Sequence, residues 1–134
     1  MILLTPGLTV RLAENYAASF LEIEGSGPHD PAPVVKFFNP CGAATWLATE
    51  MYEGGDTLFG LADLGFGCPE LGTFSLSDIE GVRLPFGLRI ERDLTFATTT
   101  PLSVWAELAR RHGSIMDAEV AIARRENELP RRGG

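Results

Sequence analysis

Two short apolar runs around a pair of glycines constrain this chain more than any other feature. Residues 45–52 and 57–64 are rich in residue types that favour strands, and Gly54-Gly55 lies between them. Adjacent glycines supply the positive φ angles that the tightest hairpin turns require. The sequence therefore predicts a β-hairpin over residues 45–64.

The register of this hairpin predicts where its side chains point. With Gly54-Gly55 as the loop, Glu50 faces Phe59 and Trp46 faces Asp63. Alternation then groups these side chains on one face with Ala48, Tyr52 and Leu61, and leaves the other face to Leu47, Met51, Leu58, Ala62 and Leu64. Because both faces carry apolar residues, we expect the hairpin to be central and covered on both sides.

The remaining patterns place strands beside the hairpin and helices at both chain ends. Thr5-Pro6 is typical of a helix start, Ser77 is expected to cap a short helix, and the alternation of Leu88–Phe96 predicts a further strand. We expect one α+β domain, 1–134, with a central antiparallel sheet of about five strands. Its segments are an N-terminal helix (1–24), the sheet (33–96), the C-terminal helices (100–129) and a frayed tail (130–134).

The charge of the chain is uneven. It carries 18 acidic and 11 basic side chains, a net charge of −7 at pH 7. The acidic excess lies in residues 1–82, whereas the arginines concentrate after residue 82. A general nucleic-acid binder needs a basic face that replaces the counterions of the phosphates, so we expect no direct binding of nucleic acid. The balance favours a protein partner with a basic surface, approached by electrostatic steering.

Targeting signals and cysteine motifs are not evident. No apolar run reaches the roughly 20 residues that span a bilayer, and the apolar opening 1–4 is too short for the core of a signal peptide. We therefore expect a cytoplasmic protein without a membrane partner. Cys41 and Cys68 form no zinc or redox motif. The hairpin register, extended outward, places them opposite each other, but a reducing compartment disfavours a disulfide.

Three acidic residues lie in or near strands that are expected to be buried: Glu50, Asp63 and Glu70. A buried carboxylate is unfavourable unless it is paired or bound to a metal. Asp63 and Glu70 approach each other if the chain folds back after residue 69, which would suit a divalent metal. The simpler interpretation is a structural ion pair between one of these acids and Arg92, which falls on the apolar side of its predicted strand.

No complete catalytic motif accompanies these acids. The glycines near residue 65 lack the third glycine of a dinucleotide fingerprint, and no nucleophile elbow is present. His29, beside Asp30 in a proline-rich loop, is expected to be solvated rather than to act as a general base. The sequence therefore assigns no catalytic residue, no cofactor and no metal ligand.

A series of segments between residues 3 and 112 forms a pattern that is specific as a whole. The segments are Pro33–Phe38, Thr45–Glu50, Phe59–Gly65, Pro69–Gly72, Ser75-Leu76 and Ile90–Leu94. This pattern resembles a bacterial family, the domain of unknown function numbered 2958. The family has no established activity, so the resemblance implies no catalytic residue. It does imply a genomic setting, since members tend to be encoded on conjugative plasmids and integrated elements, often near antirestriction genes.

Charge and resemblance together lead to one main hypothesis and one alternative. The main hypothesis is a small non-enzymatic accessory of a mobile element that binds a basic surface on a host defence or DNA-handling protein. Its expected partner-binding residues are Glu50, Glu53, Asp56, Asp63 and Glu70. The alternative is a phosphoester hydrolase in which Asp63 and Glu70 hold a divalent metal and Arg92 assists as an electrophile.

Overall fold

The computed structural model describes residues 1–21 and 27–128 of the chain. The end of the predicted helical segment, at 22–24, and the predicted frayed tail, at 130–134, lie outside the described residues. Along the chain the elements are α1 (Pro6–Ala18), β1 (Val35–Phe38), β2 (Thr45–Met51), β3 (Thr57–Asp63), β4 (Glu70–Ser75), α2 (Leu76–Gly81), a 3₁₀ turn (Pro85–Gly87), β5 (Glu91–Arg92), α3 (Leu102–His112) and α4 (Ile115–Glu128).

The five strands form one antiparallel sheet in the order β4-β3-β2-β1-β5. The hairpin strands β2 and β3 lie inside the sheet, and β4 and β5 form its edges. Helix α1 precedes the sheet in the chain, and α3 and α4 follow it. The expected α+β fold, with an antiparallel sheet and helices at both ends, is confirmed.

The hairpin forms where the sequence predicts it, but a bulge changes its register. Glu50 pairs with Phe59 as expected, whereas Trp46 pairs one residue earlier than expected, with Ala62. The shift lies at Thr49, which has no partner on β3. Because strand side chains alternate, one extra residue moves those beyond it to the opposite face. The predicted face that grouped Trp46 with Glu50 is therefore wrong.

Both faces of the sheet are covered, as the hairpin pattern predicts. Helix α1 packs on one face, where Leu12 joins Trp46 and Leu58 in a buried cluster. Helices α3 and α4 pack on the other face over Leu47 and Leu61. We call these the α1 face and the α3 face. Within residues 1–21 and 27–128, no helix combines the length and the apolar character needed to cross a membrane.

Several helix ends match the capping residues that the sequence indicates. The Thr5 hydroxyl oxygen accepts a hydrogen bond from the Leu8 N–H, at 3.3 Å, directly before α1. Gly113 ends α3 with a left-handed φ of 88°. The Ser114 hydroxyl oxygen then accepts from the Asp117 N–H at 3.1 Å and opens α4.

The predicted cap at Ser77 is wrong by two residues. Ser75 caps α2 instead, since its hydroxyl oxygen accepts a hydrogen bond from the Asp78 N–H at 3.2 Å. The Ser77 N–H donates to the Asp56 carboxylate at 2.8 Å. A residue of the β2–β3 turn thus takes the backbone donor that a local cap would have used.

The segment Leu88–Phe96 is less regular than its alternation predicts. Only Glu91–Arg92 belongs to a strand. The Asp93 carboxylate accepts hydrogen bonds from the N–H and the hydroxyl of Thr95, both at 3.0 Å, which turns the chain out of the sheet. Leu94, expected on the apolar side of a strand, is 70% exposed as a result.

Candidate functional site

A groove opens on the α3 face, between the segment that precedes β1 and the edge strand β4. Its volume is about 360 Å³. Apolar side chains form most of its walls, and five polar residues line it as well. The apolar residues are Pro28, Pro31, Phe59, Leu71 and Leu102, and the polar ones are His29, Asp30, Thr49, Glu50 and Ser103. An apolar groove with a few convergent polar groups is the usual form of a binding site. We call this one the Glu50 groove.

The bulge in β2 places Glu50 in this groove. In a regular strand Glu50 would point to the face opposite Leu47, but the extra residue at Thr49 brings both to the α3 face. The carbonyl oxygen of Thr49 accepts a hydrogen bond from the Asn15 amide at 2.9 Å, which satisfies one backbone group at the bulge. A contact from α1 on one face thus supports the position of a carboxylate on the other.

The Glu50 carboxylate is largely buried and has two side-chain partners in the described part of the chain. Its Oε1 lies 3.1 Å from Nε2 of His29, and its Oε2 accepts a hydrogen bond from the Thr49 hydroxyl at 3.3 Å. The Glu50 side chain is 10% exposed. A carboxylate in such surroundings is stabilised by each positive or donor group that approaches it.

The segment carrying His29 is fixed to the start of α3. The Asp30 carboxylate accepts hydrogen bonds from both the N–H, at 3.0 Å, and the hydroxyl of Ser103. The Leu102 N–H donates to the Pro31 carbonyl oxygen at 3.0 Å. Pro101, the residue at the helix start, offers no capping side chain, so Asp30 supplies the cap from a distant part of the chain.

The polar groups of the groove resemble parts of a hydrolytic site without completing one. His29 and Glu50 form a pair in which a carboxylate orients an imidazole, as in many general bases. A nucleophile has to contact that imidazole, but the Ser103 hydroxyl donates to Asp30 instead. The groove does offer a carboxylate between apolar walls, which matches a cationic group carried on an aliphatic stem.

Asp63 is buried, and its carboxylate accepts hydrogen bonds from the backbone. It is 1% exposed, and each of its carboxylate oxygens accepts a backbone hydrogen bond at 2.9 Å. One donor is the N–H of Gly65, just after β3, and the other is the N–H of Ile115, the first residue of α4. The carboxylate of Asp63 is therefore occupied by backbone donors and closed to solvent, which disfavours its predicted role in binding a partner.

The other predicted acids lie apart from the groove. Glu53 is exposed at the β2–β3 turn. Asp56, at the same turn, accepts hydrogen bonds from the Ser75 hydroxyl at 2.7 Å and from the Ser77 N–H. These hydrogen bonds, that from Ser75 first, hold the pKa of Asp56 below its ordinary value. Glu70 is exposed at the start of β4, which is the opposite end of the sheet from the turn. The five acids thus form no common surface.

The expected approach of Asp63 to Glu70 does not occur. Glu70 pairs with Ala62, the neighbour of Asp63 on β3. Successive strand residues point to opposite faces, so the two carboxylates lie on different sides of the sheet. Among residues 1–21 and 27–128, no group of three or more His, Cys, Asp or Glu side chains could hold a metal ion.

Arg92 contacts backbone carbonyls where an ion pair was expected. Its Nη1 donates to the carbonyl oxygens of Ile2 and Leu3, at 2.8 and 2.9 Å. No carboxylate of the described residues lies within 4 Å of the guanidinium. Arg92 therefore ties the N-terminal segment to β5, which is a structural role of a different kind.

The cysteines do not meet. Cys41 and Cys68 are both free and exposed. The one-residue shift at the bulge removes the register that placed them opposite each other, and both lie beyond the paired ends of β2 and β3. No disulfide connects these two loops.

One comparison with known protein families gives a match. The matching family model carries the description "Protein of unknown function (DUF2958)" and covers residues 3–116, from the N-terminal segment to the first residues of α4. Neither the curated proteins nor the solved structures contain a significant match to the chain. The resemblance noted in the sequence is thus confirmed, and the chain belongs to the DUF2958 family.

Proposed function

We propose that this protein binds another protein by taking a lysine or arginine side chain of the partner into the Glu50 groove. The observation that carries this proposal is the Glu50 carboxylate, which lies largely buried between apolar walls, with His29 and Thr49 as its side-chain partners among the described residues. A second carboxylate, Asp30, lines the same groove. Glu53 and Glu70, by contrast, are exposed.

Both parts of a long basic side chain, its aliphatic stem and its charged head, fit the groove. The methylene groups of lysine and arginine pack on apolar surface while the charged head seeks a carboxylate. Phe59, Leu71 and Leu102 supply that surface, and Glu50 supplies the counter-charge. A charge-assisted hydrogen bond in a partly desolvated site is roughly twice as strong as a neutral one. The entering head replaces the contact between Glu50 and His29.

A titration with defined peptides tests the proposal. The ¹⁵N-labelled protein is titrated with a heptapeptide of alanine and leucine that carries arginine at its centre, and with the same peptide carrying citrulline. Citrulline has the shape of arginine but no charge. We expect the arginine peptide to shift the amide resonances of residues 29–30, 49–50 and 102–103, and the citrulline peptide to bind at least about tenfold more weakly.

Two protein variants make the result specific. Glu50→Gln keeps the shape of the side chain and removes its charge, so it should abolish the preference for arginine. Glu53→Gln removes the same charge at the exposed β2–β3 turn and should leave the preference unchanged. Equal affinity for the two peptides, or an equal effect of the two substitutions, would contradict the proposal.

The partner class is a further part of this proposal. The genomic setting that the resemblance implies, together with the net charge of −7, favours a host defence or DNA-handling protein with a basic surface. A pull-down from host lysate at low and high salt, with wild type and both variants, tests it. The expected result is a salt-sensitive partner of that class, identified by mass spectrometry, that Glu50→Gln loses and Glu53→Gln retains. A partner retained by Glu50→Gln would place the interface elsewhere.

A further inference from the structure

Phe86 is an exposed aromatic residue that the backbone holds in an unusual conformation. Its side chain is 98% exposed, and its φ of 62° is the only positive value at a non-glycine position among the described residues. The turn is closed on both sides, since the Leu84 N–H donates to the Leu88 carbonyl oxygen at 3.0 Å and the Leu88 N–H donates to the Pro85 carbonyl oxygen at 3.2 Å. Glycine or asparagine would adopt this conformation more easily than a bulky residue. Such strain is usually retained where the side chain has a use.

An open cavity begins one residue after Phe86. It is a groove of about 740 Å³ on the α1 face, and Gly87 and Leu88 form part of its wall. Its lining is mainly apolar and includes Ile2, Leu3, Met51, Leu76 and Ile90. Ile2 and Leu88 are themselves exposed. A projecting aromatic side chain and an open apolar groove thus adjoin each other, which marks this surface as an interaction site.

The same surface carries charges of both signs. Arg89, Glu80 and Glu91 line the groove. The Arg89 guanidinium donates to the backbone oxygen of Glu80 at 2.6 Å, and none of the three side chains forms an ion pair with another residue of the described part of the chain. A charge of each sign remains available to a partner.

We propose that this surface binds a second copy of the same chain. A twofold interface brings one patch onto itself, so each projection must meet a recess, and each charge an opposite charge, within that same patch. The surface around Phe86 meets this requirement: Phe86 of each copy enters the groove of the other, and Arg89 of each meets the acids Glu80 and Glu91 of the other. The proposal is independent of the Glu50 groove, because Met51 points to this face and Glu50 to the opposite one.

Sedimentation velocity of the full chain over a wide concentration range tests the dimer. Wild type should show a reversible monomer–dimer equilibrium. Phe86→Asn should raise the dimer dissociation constant by at least about 100-fold, because the dimer loses two buried phenylalanine side chains, one from each copy. Phe66→Asn is the matched control, because Phe66 is 82% exposed in the β3–β4 connection and lines no part of this groove. It should leave the equilibrium unchanged.

A thermal measurement separates loss of the interface from loss of the fold. At concentrations where wild type is monomeric, Phe86→Asn should melt at the same temperature as wild type or higher, because asparagine tolerates the left-handed conformation. A wild type that stays monomeric at every concentration overturns the proposal. So does a Phe86→Asn variant that dimerises as strongly as wild type, or a Phe66→Asn variant that loses the dimer.

Discussion

At the scale of single residues, the acids of this chain divide into structural and accessible ones. Asp63 connects the end of β3 to the start of α4 through two backbone hydrogen bonds. Glu50 borders a groove, and its hydrogen-bond partners among the described residues are side chains. The sequence marks both as acids in predicted strands and gives no means to separate them, because the N–H groups that occupy Asp63 include one 52 residues away.

Replacing Asp63 tests its structural role. In Asp63→Asn, one carboxylate oxygen becomes an amide donor that faces a backbone N–H, so a buried hydrogen bond to a charged acceptor is lost. We expect the free energy of unfolding to fall by about 2 kcal/mol, measured by urea denaturation at pH 7. Glu70→Gln is the control, and as an exposed substitution it should change the free energy by less than about 0.5 kcal/mol. Equal effects of the two substitutions would contradict the structural role.

Glu126 is a second structural acid, and it makes stability depend on pH. Burial raises the pKa of Glu126, but hydrogen bonds from Thr98, Thr99 and Thr100 lower it by more, so the pKa lies below its ordinary value of 4.5. A depressed pKa in the folded state stabilises the protein above the pKa of the unfolded state. That contribution is lost as the pH falls through the folded-state pKa.

The difference in free energy of unfolding between wild type and the Glu126→Gln variant should therefore decrease in acid. At pH 7 we expect wild type to be the more stable protein, and the difference should shrink as the pH falls below about 4.5. Urea midpoints of both proteins between pH 7 and pH 3 provide the measurement. A difference that stays constant over this range would show that the charge of Glu126 contributes nothing.

At the scale of elements, the sequence predicts the hairpin but not its irregularity. Alternation and the glycine pair locate β2 and β3 correctly because both signals are local. The bulge at Thr49 depends on contacts across the fold, such as the bond from Asn15, 34 residues earlier. The sequence does not predict the Glu50 groove either, because His29 is positioned by the hydrogen bond between Asp30 and Ser103, which are 73 residues apart. Of the five predicted partner-binding residues, only Glu50 lines the groove.

A pair of glycines on neighbouring strands allows a matched test of how closely β2 approaches β3. Gly60 pairs with Gly72 across β3 and β4. A Cβ on Gly60 would lie 1.8 Å from the Leu47 carbonyl oxygen, whereas a Cβ on Gly72 would meet nothing within 4 Å. Gly60→Ala should lower the free energy of unfolding by more than about 2 kcal/mol. Gly72→Ala should change it by less than about 1 kcal/mol.

Chemical denaturation of the two glycine variants gives both values in one experiment. The same substitution at paired positions holds the change in strand propensity nearly constant, so the difference between the variants measures the close approach of β2 to β3. A Gly60→Ala variant as stable as Gly72→Ala would mean that the hairpin has more room than the described register allows.

At the scale of the whole molecule, the uneven charge of the chain does not become one acidic face. Opposite charges from the two halves of the chain pair internally: the single lysine, Lys36, is buried and lies 2.9 Å from Glu119 and 3.4 Å from Asp93. The sheet instead separates two different surfaces. The α3 face carries the Glu50 groove, and the α1 face carries the apolar groove beside Phe86. Adjacent residues of β2, Glu50 and Met51, belong to one surface each.

This arrangement predicts bivalent binding if both proposed surfaces act as described. A dimer formed through the α1 faces leaves two Glu50 grooves open on its outer sides. On a sensor surface densely coated with the arginine heptapeptide, wild type should therefore dissociate at least about tenfold more slowly than Phe86→Asn, because two linked sites must release together. In solution, where the peptide is monovalent, the two proteins should bind it equally well. Phe66→Asn should match wild type in both formats. Equal dissociation of wild type and Phe86→Asn from the surface would show that the grooves of a dimer do not act together.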